Sequence, residues 1–191
     1  MFFKLILFSV AVHLVYVTAC PTIVSRDEWG GYDPIRDIRF PGPVDIVVIQ
    51  HTATSKCSRD STCKAMIQGI EDYHVDTLFY NSIGMNFLIG GNGKVYEGAG
   101  WEQIGTHTAG YNHRSIAISF IGNYEHDNPT DAQLKIAQEL IRCGVEKKYL
   151  APNYHLVGHR QLIATVSPGR NLYRIIRGWP NFLADVSSIR N

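Results

Sequence analysis

The chain has 191 residues, with 18 Lys and Arg against 17 Asp and Glu and a formal net charge of +1. That near balance excludes a protein held to nucleic acid by a broad positive field. A 45% hydrophobic content suits one globular domain with an ordinary core, and no internal repeat, charge run or low-complexity linker divides the chain.

Residues 1–19, MFFKLILFSVAVHLVYVTA, read as a signal peptide. Lys4 precedes an apolar run, and Val17-Thr18-Ala19 gives the small-residue pattern of a signal-peptidase site. The run is too short and too early for a membrane anchor, and no later segment nears spanning length. The expectation is a secreted, extracellular protein with no membrane and no nucleic-acid partner. Val-Thr-Ala-Cys also matches a bacterial lipoprotein box, which would acylate Cys20, but the cysteine count speaks against that reading. Cys20, Cys57, Cys63 and Cys143 make an even set, which favours disulfides in an exported chain. Close spacing makes Cys57 with Cys63 the first bridge to expect and leaves Cys20 with Cys143, although spacing alone keeps all three pairings open. The long-range bridge would contribute roughly 3–5 kcal/mol on the loop-entropy model.

Residues 20–43 are rich in Gly, Pro and aromatics and read as an extended arm packed on the domain that follows, 44–187, with Trp29 as its anchor. A strand is expected over 44–51. A helix fits 61–78, where Cys63, Ile67, Ile70 and His74 share one face. MNFLIG and KVYEG are β runs, and Asn92-Gly93 between them predicts a type I′ hairpin turn. A further strand covers 115–122. Thr130-Asp131-Ala132-Gln133 is a capping box, opening a helix whose face carries Leu134, Ala137, Ile141 and Val145. HLVGHR gives a short strand and SPGR a turn, and Leu172, Ile175, Ile176 and Trp179 mark a last short helix. The expected fold class is α/β: a single domain with a central mixed β-sheet flanked by about three helices.

Within this fold IVVIQHTA, residues 46–53, stands out. Its apolar β-branched run reads as a strand buried on both faces, and it ends in a polar Gln-His-Thr tip. Taken alone it is an ordinary core strand entering a loop. The same strand-then-polar pattern recurs at GMNFLIG and LVGHRQ, which points to one cleft built from several strand ends.

VVIQHTA, CSRDSTC, IGMNFLIGGNGKVYEGAGW, GTHTAGYN, SIAISFIGNY and LVGHRQ with SPG together resemble the peptidoglycan recognition proteins. These are animal relatives of zinc amidases of the T7 lysozyme type, and the likeness extends over the whole mature chain. The nearest likeness is to short secreted insect members, a group that the additional Cys20 and Cys143 also fit. Catalytic members hydrolyse the bond between N-acetylmuramic acid and L-alanine with a zinc ion on three protein ligands. The family's first ligand, a strand-end His, falls on Gln50; its second, the His of Gly-His-Arg, is His159; its third, the Cys of Cys-Pro-Gly, falls on Ser167. The tyrosine that assists the transition state falls on Met85, and a further active-site threonine is matched by Thr165. A carboxamide and a hydroxyl are poor zinc donors. His51 is one residue out of register, and neighbouring strand residues point to opposite faces. The resemblance therefore implies a non-catalytic member with no zinc and no other cofactor.

Muropeptide-contacting positions of the family map to His51, Thr52, His74, Phe79, Tyr80, Met85, Ala99 and His107, with His159 beside them. Singly, His74 reads as a satisfied core histidine, Phe79 and Tyr80 as packing residues and His107 as a loop donor; only their joint placement suggests a binding cleft. Members that prefer diaminopimelate stems carry Gly-Trp where this chain has Phe79-Tyr80, and an Arg at the Ala99 position that pairs with the extra carboxylate. Ala99 implies a lysine-type preference. The implied partners are bacterial peptidoglycan and extracellular immune signalling proteins of a Toll-type protease cascade. The competing class is an enzyme, either a residual zinc amidase or a peptidase using Ser167 with His159 as base. The latter needs an orienting acid and an oxyanion hole that the sequence does not display.

Overall fold

A computed structural model describes residues 20–34 and 36–190. The expected signal peptide, 1–19, lies outside the described residues. Six strands form one mixed sheet in the order β1-β4-β3-β5-β2-β6. The strands are β1 (Ile23–Val24), β2 (Val44–His51), β3 (Phe87–Ile89), β4 (Val95–Glu97), β5 (Ser115–Phe120) and β6 (Leu150–Gly158). β2 lies between β5 and β6 and is parallel to both, with Val48 opposite Ala117 on one side and Val157 on the other. Six residues of β5 and seven of the eight in β2 are buried, as a strand covered on both faces requires.

The back face of the sheet packs against α3 (Asp131–Glu146) and α4 (Arg170–Ile176). Val47, Ile49, Ile116, Ile118 and Phe120 meet Leu140, Ile141, Leu172 and Ile176 in one continuous apolar cluster. The capping box at Thr130 is present: its hydroxyl accepts from Gln133 N–H, and the Gln133 side chain accepts from Thr130 N–H. On the front face, α2 (Asp60–Asp72) runs into a single π-helical turn, Tyr73–Thr77, so the periodic segment 61–78 is helical but widens at its end.

Two expectations are corrected. The 20–43 segment is more than an extended arm. Ile23 and Val24 add β1 to the sheet beside Val95 and Tyr96, and α1 (Arg26–Trp29) follows. A Ser25–Glu28 capping box starts that turn, and Gly30 ends it at φ +81. The β3–β4 turn is also not type I′, because Asn92 has no positive φ and Gly93 alone takes +72. Gly93 N–H bonds Gly90 O and Gly90 N–H bonds Lys94 O, the pattern of a type I turn closed by a glycine bulge.

Cys57–Cys63 and Cys20–Cys143 are the disulfides, which settles the pairing that spacing left open. Cys20 therefore has no thiol for a lipid. Among the described residues no helix is long and apolar enough to cross a membrane.

Candidate binding cleft

Alternation along β2 decides where the cleft opens. Val47 and Ile49 enter the back cluster, and His51 follows them in parity. Ile46 and Val48 face front, and Gln50 follows those. The front face is not one apolar surface. One cluster joins Trp29, Ile67, Met85, Leu88 and Ala117 under α2, and another joins Ile46, Val48, Tyr111, Val157 and Val186. Between them lies a polar row of Gln50, Ser119 and Thr108. A cleft of about 750 Å³ opens above it, with Met66, Ile70, Tyr73 and His74 on the α2 wall and His159, Thr165, Val166 and Ser167 on the other.

The floor is tied to itself. The Gln50 carboxamide donates to Thr108 Oγ1 (3.3 Å) and to His107 O (3.4 Å), and accepts from Ser119 Oγ at 3.5 Å. These contacts are long, so the carboxamide is engaged but weakly held. Ser167 Oγ accepts from His51 N–H (3.1 Å), and Thr165 Oγ1 accepts from Ser167 N–H (3.2 Å). The loop bearing them folds back on the end of β6 through Arg160 N–H to Ser167 O, 2.8 Å. Glu125 anchors that loop from outside, accepting from Arg170 N–H (2.8 Å), Arg170 Nη2 (3.0 Å) and Arg160 Nη2 (3.4 Å).

Backbone groups fix the tautomers of two histidines. His51 Nδ1 accepts from Tyr124 N–H (3.1 Å), and His74 Nδ1 accepts from Gly84 N–H (2.9 Å). An imidazole that accepts at Nδ1 is neutral and carries its proton on Nε2. Burial lowers both values, His51 to about 4. Two walls of the cleft thus present a fixed N–H donor, suited to carbonyl oxygens of amides or sugars. His159 and His107 are only partly buried as residues, but their ring Nε2 atoms are enclosed. Burial holds them neutral, to about 4 and about 3, and each keeps a buried Nε2 without a hydrogen-bond partner. Among the described residues no hydrogen bond joins the Ser167 hydroxyl to His159 Nε2.

Of the sequence-derived positions, Gln50, His51, Thr52, His74, Met85, His159, Thr165 and Ser167 line this cleft. Four others stand apart from its lining. Phe79 is 86% exposed at φ +56, beyond the π turn. Tyr80 packs its ring 5.3 Å from that of His74. His107 lies beneath the floor, its Nδ1 bonded to Thr108 Oγ1 at 3.0 Å. Ala99 is backbone-paired to Met85 O (2.9 Å) but lines a separate hollow with Arg39, Trp101 and Tyr149. Sequence reasoning missed Ser119, Thr108, Tyr73 and Val166. Ser119 had a signal: a hydroxyl within the apolar run SIAISF, opposite Gln50 in the β2–β5 pairing.

The fold and cleft define an amidase-type domain, and the N-acetylmuramoyl-L-alanine amidase family profile matches residues 40–170. A peptidoglycan recognition protein of Trichoplusia ni is 52% identical over 178 residues, covering 93% of this chain and 98% of that protein. The solved structure of Manduca sexta peptidoglycan recognition protein-1 is 48% identical, covers 87% of this chain and 95% of its own, and superposes with a TM-score of 0.84. Peptidoglycan recognition protein-LE, solved with tracheal cytotoxin, a monomeric diaminopimelic acid-type peptidoglycan, is 38% identical, covers 84% and 95% of the two chains, and has a TM-score of 0.83. The chain belongs to the peptidoglycan recognition protein family.

Proposed function

We propose that this chain is a secreted innate-immune receptor that binds peptidoglycan fragments in the cleft without cutting them and passes the signal to extracellular proteins of a Toll-type protease cascade. One observation carries the non-catalytic part. At the positions where amidase relatives hold zinc, the chain has a carboxamide, an imidazole and a hydroxyl, and two of these are already engaged within the protein. Gln50 bonds Thr108, the His107 carbonyl and Ser119, and Ser167 accepts from His51 N–H. Among the described residues no group of three or more His, Cys, Asp or Glu stands where it could hold a metal. This donor set does not fit zinc. The serine-peptidase reading lacks its first requirement, a hydrogen bond from Ser167 to His159.

Recognition is supported by the neutral donors of His51 and His74 on a cleft whose walls are partly apolar, a mixture suited to amide and sugar groups beside a stem peptide. Ala99 offers no cation to an additional carboxylate, which supports a lysine-type preference. The disulfides and the signal-like start support secretion. The test is retention of the purified protein on lysine-type and diaminopimelate-type walls, with zinc content and release of stem peptide measured in parallel. Preferential retention on lysine-type walls without turnover is the expected result. Stoichiometric zinc with released stem peptide overturns the non-catalytic reading, and equal or reversed retention overturns the specificity.

A further inference from the structure

We infer that the N-terminal arm belongs to the recognition apparatus: a buried cluster of Arg26, Glu71 and Ser82 positions the loop 78–84, and with it the wall of the cleft that carries His74 and Met85. The inference rests on the receptor reading above for its consequence in binding, but its geometric part stands without it.

Arg26 in α1 is 9% exposed and Glu71 near the end of α2 is 1% exposed. The guanidinium donates from Nη1 to Tyr32 O (2.8 Å) and to Ser82 Oγ, and from Nη2 to Gly98 O, with Nη1 3.8 Å from Glu71 Oε1. Glu71 accepts from Tyr32 N–H (2.9 Å), from Ser82 Oγ (3.5 Å) and from the backbone of Ile83. The arm also reaches the loop elsewhere, since Asn81 Nδ2 donates to Arg36 O. Four segments therefore meet at one planar cation.

Two of these attachments bracket the cleft wall. Next to Ser82 and Ile83, Gly84 N–H donates to His74 Nδ1 (2.9 Å), the bond that fixes the His74 tautomer. Next to Gly98, Ala99 N–H donates to Met85 O, 2.9 Å. Displacement of the loop would release the His74 ring and shift Met85 together. Stability does not explain the cluster, because burying two charges costs about as much as their attraction returns, and an apolar pair of similar volume is commonly as stable. Arg supplies what an apolar pair lacks: a rigid fork with several donors whose directions fix several backbone segments at once.

The test uses the full secreted protein with two alterations, Arg26→Met combined with Glu71→Leu, and Ser82→Ala alone, which removes the Ser82 bonds to Arg26 and Glu71 and leaves the ion pair and the Ile83 backbone bond to Glu71 intact. The readouts are melting temperature, the Gly84 amide and His74 ring 15N signals, and retention on lysine-type and diaminopimelate-type walls. Both variants are expected to stay folded, to lose the Gly84–His74 hydrogen-bond signature, and to bind walls about tenfold more weakly, with a changed ratio between wall types. A folded variant with that signature and native wall binding overturns the inference. If the double variant fails to fold, Ser82→Ala decides alone. If the unaltered protein is retained on neither wall, the receptor reading falls, and the Gly84 and His74 signals still report whether the cluster positions the loop.

Discussion

The two faces of the sheet are built from the same strands by alternation, yet they are covered differently. Behind β2 and β5, side chains of α3 and α4 complete one unbroken apolar cluster. In front, two clusters stop short of each other and leave Gln50, Ser119 and Thr108 beneath open space. Continuous burial converts area into stability. The interrupted face gives up that contribution and gains hydrogen-bonding groups held where a ligand can reach them. If the division is real, truncation behind the sheet disturbs folding and truncation at the cleft disturbs binding.

The largest effect is expected from Leu140→Ala, at a fully buried position of α3. Its loss should cost about 2–5 kcal/mol in chemical denaturation and leave the wall-type preference of the folded fraction unchanged. A change in preference at constant stability would dissolve the distinction between the faces.

Acid is expected to act next, through the cleft. His51 and His159 are held to about 4 and His107 to about 3, chiefly because burial disfavours the cation. With folded values below the ordinary 6.5, the unfolded chain takes up protons first. Their stability contribution is thus complete above about pH 6.5 and is lost as pH falls toward 4. Each unit costs about 1.4 kcal/mol per histidine, so melting should fall by roughly 10 °C between pH 6.5 and 5. A melting temperature flat across that window would mean that these rings are hydrated.

A smaller change concerns specificity. Ala99→Arg supplies the guanidinium that the family resemblance associates with diaminopimelate stems at this position, and retention on diaminopimelate-type walls should rise about tenfold relative to lysine-type walls. No shift in the ratio would indicate that the hollow holding Ala99 does not communicate with the cleft.

Much of the back face was readable in the sequence. β2 was visible in its β-branched run, α3 in its capping box and apolar stripe, and the cleft in polar residues at strand ends. The arm hid more. β1 is only two residues long and has no periodicity to detect. The Ser25–Glu28 capping box and Gly30 bound α1 in the structure, but so short a turn gains its place from tertiary contacts. Arg26 and Glu71 are far apart in sequence, and no local pattern brings them together. The β3–β4 turn was misread because GGNG offers several glycines, and the backbone placed the left-handed residue at Gly93 rather than pairing it with Asn92. Ala99 was named from the resemblance alone, since a lone alanine in a loop carries no local signal, and it lines a hollow with Arg39, Trp101 and Tyr149 beside the cleft.

The smallest effect on stability, and the sharpest comparison with Leu140, is expected at Gln50. It is 4% exposed, so burial alone would rank it with the core. Its hydrogen bonds, however, run from 3.3 to 3.5 Å, and it borders the open cleft, where water can replace the carboxamide. Gln50→Ala should therefore cost no more than about 1 kcal/mol, a net hydrogen-bond value with little apolar loss added. Binding should respond more than folding, because the substitution removes the carboxamide that bonds the Thr108 and Ser119 hydroxyls at the cleft floor. Denaturation and wall retention measured on one preparation separate the two. A loss of stability matching that of Leu140→Ala would place Gln50 among the packed residues and leave the front face as continuous as the back.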